Sequence, residues 1–168
     1  DSVVTVINTN ADTVMTNINA GPNPGSIQVD VNGKVWVLCG GQWNGSFTAL
    51  DKTGALVRID PATNTVEQTF VFSSTTSSPS NLVINGAEDK LYYTYQGNIY
   101  THDISASALG STGFISRSFY GFGVDPTNDY VYGADAGNFS SNGYVIRFNA
   151  AGAKVDSFQV GIIPGGFF

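Results

Sequence analysis

A chain of 168 residues with net charge −6, of which only 12% are charged and 42% are hydrophobic, lacks the Lys/Arg stripe that nucleic-acid phosphates require. No apolar run approaches the roughly eighteen residues of a membrane-spanning helix, and no stretch sustains a helical period. A single cysteine excludes an internal disulfide, and a single histidine leaves little acid–base machinery.

The first predicted element is a hairpin. Val4-Thr5-Val6-Ile7-Asn8 alternates, turns through polar residues and returns as Thr13-Val14-Met15-Thr16-Asn17-Ile18. A second kind of hairpin follows in Ser26 to Val37, with Asp30-Val31-Asn32-Gly33 as its turn. Leu56-Val57-Arg58-Ile59-Asp60, turning through Pro61-Ala62-Thr63-Asn64 into Thr65 to Phe70, repeats the first kind. Asn81 to Tyr93, around Gly86-Ala87-Glu88-Asp89, repeats the second. Ile99-Tyr100-Thr101-His102-Asp103 opens a third copy of the first kind that is degenerate through Ser118. Gly121 to Tyr132, around Asp125 to Asp129, is the third copy of the second kind. Tyr144 to Asn149 opens the last copy of the first.

Copies of the first hairpin recur at roughly forty to fifty-five residues, a period that points to a β-propeller. With the second hairpin as inner strands a–b and the first as outer strands c–d, the chain reads c–d followed by three a–b–c–d blades. The expected fold is therefore all-β, about three and a half four-stranded blades, half of a seven-bladed ring. The boundaries are 1–21 for the outer hairpin of a split blade, then blades at 22–72, 73–119 and 120–168. On this reading the chain is the C-terminal part of a longer protein. Its first partner is the missing N-terminal propeller segment, since a second identical copy supplies no a–b hairpin for the split blade.

Val3 to Gly21 and then Ser26 to Val37 resemble the YVTN/YncE-like seven-bladed propeller repeat, and the resemblance extends over essentially the whole chain. Asn8 and Asn149 stand where that repeat usually has Asp. The resemblance is nearest to exported or lipid-anchored propellers of Bacteroidota, including a domain family of undefined function, and the end Val160 to Phe168 is similar to theirs. It implies an extracytoplasmic location at the cell surface or in the periplasm. Some relatives are surface lipoproteins capping outer-membrane transporters, one type binding corrinoids, so an outer-membrane transporter or other surface protein is an expected partner.

Function is expected on the loops, because long loops on a rigid scaffold are where binding concentrates. The b–c and d–a loops of a propeller share one face, and two b–c connections are enlarged, Gly40 to Gly54 and Gly133 to Gly143. The first offers Gln42, Trp43, Asn44 and Phe47, and the second Asp135, Asn138 and Phe139. The middle repeat has only Tyr95-Gln96-Gly97 there, leaving a notch that Tyr95, Gln96, Tyr120 and Phe122 would line. Aromatics among small polar residues suit stacking and hydrogen bonding; the competing reading folds Trp43, Phe47 and Phe139 back over blade edges.

Catalytic residues are not assigned. His102 falls in an outer hairpin, where it reads as a surface or locally bonded histidine and completes no Ser-His-Asp set. Cys39 reads as a small buried hydrophobe. No metal or other cofactor is expected, since Asp135 and Asn138 lack the acidic density of a calcium loop. Asn44-Gly45-Ser46 and Asn138-Phe139-Ser140 match the N-glycosylation pattern, and Asp1-Ser2-Val3 and Asp12-Thr13-Val14 a short O-glycosylation sequon. The expected activity is non-enzymatic binding. The alternatives are a propeller lyase or lactonase and a purely structural module.

Overall fold

The computed structural model describes residues 2–167; Asp1, which opens the first sequon, and Phe168 lie outside the described residues. Every regular element is a strand: β1 Val3–Asn8, β2 Thr13–Asn19, β3 Pro24–Val29, β4 Val35–Cys39, β5 Gln42–Trp43, β6 Leu50–Lys52, β7 Ala55–Asp60, β8 Thr65–Val71, β9 Ser80–Ile84, β10 Lys90–Tyr95, β11 Asn98–Asp103, β12 Gly121–Val124, β13 Val131–Asp135, β14 Asn142–Phe148 and β15 Lys154–Ile162. They form antiparallel sheets in the expected sequence: the pair β1–β2, then β3–β4–β7–β8, then β9–β10–β11, then β12–β13–β14–β15, with β5–β6 as a separate small hairpin. Two compact units divide the chain within β9, Asp1–Leu82 and Val83–Phe168.

An Asx residue holds the turn of each inner and outer phrase, and this is why the phrases repeat. Outer turns are held by side-chain oxygens of Asn8, Asp60, Asp103 and Asn149, which accept the amides of Asn10, Ala62, Ser105 and Ala151 two residues on. Asn serves as well as Asp because the turn needs only the carbonyl-type acceptor, so the departures at Asn8 and Asn149 leave the geometry intact. A residue with positive φ then reverses the chain: Asp12, Asn64 and Gly152 in three outer turns, Gly33, Glu88 and Asp129 in the inner ones. Pairing shifts by one at Val6/Ile7, Arg58/Ile59 and Arg147/Phe148, the same place in three outer hairpins.

Inner turns are anchored more deeply. Asp30 is buried, and its carboxylate accepts the Trp36 indole N–H at 2.8 Å and the amides of Asn32 and Lys34 at 2.9 Å each. Asn85 holds the same place in the middle sheet, accepting from Asp89 and Lys90 and donating to Asp89 and Asp129. In the first unit, Val4, Val6, Ile18 and Ala20 of the split pair pack on Val37, Val57 and Ile59. In the second, Val83, Tyr92 and Ile99 pack on Phe122, Val131, Ile146 and Phe148.

The middle sheet departs from the four-strand expectation. Its outer return is reduced to an isolated bridge, Ile99 with Ile115, because 104–118 is Ser/Gly-rich and lacks the alternation a ladder requires. A second difference concerns 40–54, which contains the extra hairpin β5–β6 instead of an irregular loop.

Candidate functional site

The candidate residues fall in both units, and the second carries the better-formed arrangement. Tyr120 precedes β12, fixed by its amide on the Ala134 carbonyl at 2.9 Å. Asp135 ends β13, and the β13–β14 connection turns back at Phe139, whose amide reaches the Ala136 carbonyl at 3.0 Å. The two rings meet edge to face with centroids 5.6 Å apart, yet remain 57% and 56% exposed. They flank a cleft of about 310 Å³ with Phe119, Asp135 and Ala136. An ion pair of Arg117 with Asp135 borders it, and the guanidinium lies 5.5 Å from the Phe119 ring centre. The C-terminal segment backs this corner: a side chain at Gly165 would stand 3.5 Å from the Tyr120 ring.

Phe139 adopts φ 62°, a left-handed conformation that costs a non-glycine residue about 1–2 kcal/mol. Asn138 supports it, its side-chain oxygen accepting the amides of Ser140 and Ser141 and its nitrogen donating to the Ser141 hydroxyl at 3.3 Å. Asn138 is thus a loop brace more than a free contact. Apolar surface and a half-exposed ion pair offer a ring platform beside donors and acceptors, suited to a ligand with an apolar face and a polar edge.

Two expected contributors are corrected. Phe122 is 7% exposed and belongs to the core with Tyr92, Val131 and Phe148. Its partner across the ladder is Gly133 of β13, whose missing side chain leaves the space that the Phe119 ring of the same core fills. Tyr95 is likewise buried, its ring 5.9 Å from that of Tyr100. Strand alternation points both inwards, and the sequence does not say which face is covered. Gln96 stays exposed at the tip of a two-residue turn with φ 47°, followed by Gly97 at 75°, the paired positive angles of a tight hairpin.

In the first unit, β5 and β6 stiffen the 40–54 connection and lift its tip. Gln42 is exposed and Trp43 half-buried. Asn44 organises the turn, accepting the Thr48 amide at 3.0 Å and donating to the Thr48 hydroxyl at 3.1 Å. Phe47 tops it at φ 54° and 78% exposure, its amide on the Asn44 carbonyl at 3.0 Å. Phe47 and Phe139 therefore share one local design: the last residue of a turn, left-handed and apolar in solvent.

Sequence reasoning missed a polar cleft in this unit. Asn23, Ser26, Ser78 and Asn81 line about 270 Å³; Asn23 and Asn81 both have φ 57°, and the Ser78 hydroxyl donates to the Gly40 carbonyl. The signal was present as Asn and Ser clustered around Pro24 and Pro79 where strands a begin.

His102 is buried, not at the surface, facing Leu91 across the ladder. Cys39 is buried as expected, its thiol donating to the Ala20 carbonyl at 3.3 Å, and burial pushes its pKa up to about 11. Among the described residues no three His, Cys, Asp or Glu side chains gather as a metal site.

No protein-family model and no curated protein matches the sequence. Solved structures do. Kuenenia stuttgartiensis hydrazine synthase is similar over 95% of this chain and 44% of its own, with 13% identity and a TM-score of 0.66. A quinoprotein alcohol dehydrogenase-like protein from Bacteroides thetaiotaomicron matches 89% of this chain and 35% of its own, at 14% identity and TM-score 0.57. The Dos1 propeller matches 95% and 43%, at 15% and 0.58. The chain spans less than half the length of each of these. At such identities the likeness speaks to fold alone, and with the repeated antiparallel sheets it establishes a partial β-propeller.

Proposed function

We propose that this partial propeller is a non-enzymatic binding module whose ligand or protein partner docks on the β13–β14 connection, between Tyr120 and Phe139. The observation that carries this reading is the pair of half-exposed rings beside the Arg117–Asp135 ion pair. An exposed aromatic gains little from folding, and Phe139 also occupies a costly backbone conformation. Both features gain a rationale when an apolar surface covers the rings. Burial of the only histidine and the only cysteine supports binding over catalysis.

The resemblance of the repeat phrases to YVTN/YncE-like propellers supports reading the module as exported to the periplasm or cell surface, with a surface protein such as an outer-membrane transporter as its partner. Scarce Lys and Glu agree with export as a compositional trait. Covering the open halves of both rings removes roughly 100 Å² each, worth about 2–3 kcal/mol per ring at 25 cal/mol/Å². A thermal-shift screen of saccharides, aromatic metabolites and candidate surface proteins would supply the ligand. The double variant Tyr120→Ala/Phe139→Ala should then bind it at least about tenfold more weakly, conservatively below the area estimate because reorganisation offsets part of it. Unchanged affinity would refute the site.

A further inference from the structure

Three structurally equivalent positions, each three residues before the Asx of an inner turn, are occupied by Ile27, Leu82 and Phe122. Leu82 and Phe122 are 4% and 7% exposed, whereas Ile27 is 53% exposed. Two residues on, Val29 is 52% exposed, while its counterpart Val124 packs against the core of the second unit. These positions differ in what lies against them. Phe122 and Val124 are covered by the preceding blade, whose strands a and b supply Val83 and Tyr92. Ile27 and Val29 face the same way, opposite Val37 and Val35 of β4, but the sheet before them is only β1–β2. That pair covers Val37 on strand b and Val57 on strand c, and stops short of strand a. Beyond it lies a cleft of about 210 Å³ between Val3 and Val4 of β1 and Gly25 and Ile27 of β3.

The edge of β1 tells the same story. Its ladder to β2 occupies one side, and among the described residues no strand pairs with the other. In the complete blades that side of strand c is taken by strand b, as β7 pairs with β4 and β14 with β13. We infer that the cleft is the seat of an a–b hairpin of this repeat type, belonging to the same polypeptide upstream of the split blade. Its strand b runs antiparallel along the free edge of β1, and its strand a covers Ile27 and Val29. Connectivity favours the same polypeptide as the source: in complete blades the end of b pairs with the start of c, Cys39 with Ala55, so a b strand on β1 ends beside Val3 and joins it through an ordinary b–c connection. The occupant is an alternating, apolar-faced strand pair, since an exposed edge with apolar neighbours is a template for strand addition. This inference is independent of the loop-face reading.

The repeat supplies its own probe. Asn8 and Asp60 are equivalent, so Val3 corresponds to Ala55; a copy of residues 22–54 joined ahead of Val3 gives the split blade a strand pair of the family type. Hydrogen exchange is compared between this fusion and the 168-residue chain, with β14–β15 as internal reference. The expected result is a monomer in which amides of 3–8 and 24–31 exchange about tenfold more slowly or better, and in which Ile27→Asp in the resident blade abolishes the gain. If the fused hairpin does not fold, the peptide of residues 24–39 carrying Cys39→Ser, added to the 168-residue chain, makes the same comparison. Unchanged exchange over 3–8 with both fusion and peptide overturns the inference. So does a 168-residue chain already protected there as a homodimer, which would make a second copy the occupant.

Discussion

Phe47 separates a binding role from a packing role at the 40–54 connection, because the two predict different stabilities for Phe47→Gly. With the residue 78% exposed, about a fifth of its side-chain surface is covered, roughly 40–50 Å², so truncation loses about 1 kcal/mol of burial. Glycine relieves a φ of 54°, returning about 1–2 kcal/mol. It also loosens the unfolded chain, costing about 0.5–1 kcal/mol. The terms nearly cancel, and the variant should stay within about 1 kcal/mol of the parent. A phenylalanine folded over a blade edge would instead cost about 3–5 kcal/mol on truncation. Urea unfolding followed by far-UV circular dichroism measures the difference, with an unchanged slope confirming that the same surface unfolds. A loss above about 2 kcal/mol would refute the exposed-tip geometry, and with it the case that this loop presents an apolar residue for recognition.

Three further outcomes follow from the geometry. A side chain at Gly86 would place its Cβ 1.7 Å from the Pro126 carbonyl oxygen; Gly86→Ala should therefore lower the urea midpoint by the equivalent of about 3 kcal/mol, the upper end of overpacking costs. Asp103 has its pKa lowered from 3.8, first by the Ser105 hydroxyl and then by the Ser105 amide. Its contribution is present in full above about pH 4 and is lost as pH falls through the depressed folded-state value. Asn serves at the equivalent Asn8, so Asp103→Asn should flatten the acid limb of stability against pH while leaving neutral stability nearly unchanged. Cys39, buried and raised to about 11, should be silent to a thiol-disulfide reagent at pH 8 in the native protein and react fully in denaturant; rapid native labelling would contradict its burial.

The hairpins were legible because one chemical device recurs. An Asx acceptor holds the turn of every repeated phrase, followed by a left-handed residue in all but the Asp103 copy, and Asn8, Asp30, Asp60, Asn85, Asp103, Asp125 and Asn149 mark them in the sequence. Burial was less legible, since alternation assigns two faces without saying which one a neighbour covers; hence Tyr95 and Phe122 were expected at a surface and lie in the core. Aligning copies would have recovered His102: the residue before the Asx is Ile59 in one outer hairpin and Phe148 in another, both buried, and His102 inherits the position. The hairpin β5–β6 escaped notice because strands of two and three residues carry no period. Exposed left-handed phenylalanines are conformational facts that no pattern of residue types encodes.

The central claim is that recognition occurs at the β13–β14 connection. The measurement that tests it most directly is a hydrogen-exchange footprint of the chain saturated with its ligand or partner, once the screen has supplied one. The account predicts protection at 118–120 and 135–141 that disappears in Tyr120→Ala/Phe139→Ala. Protection confined to the outer turns at 8–13, 60–65 and 149–154, with those segments unchanged, would contradict it.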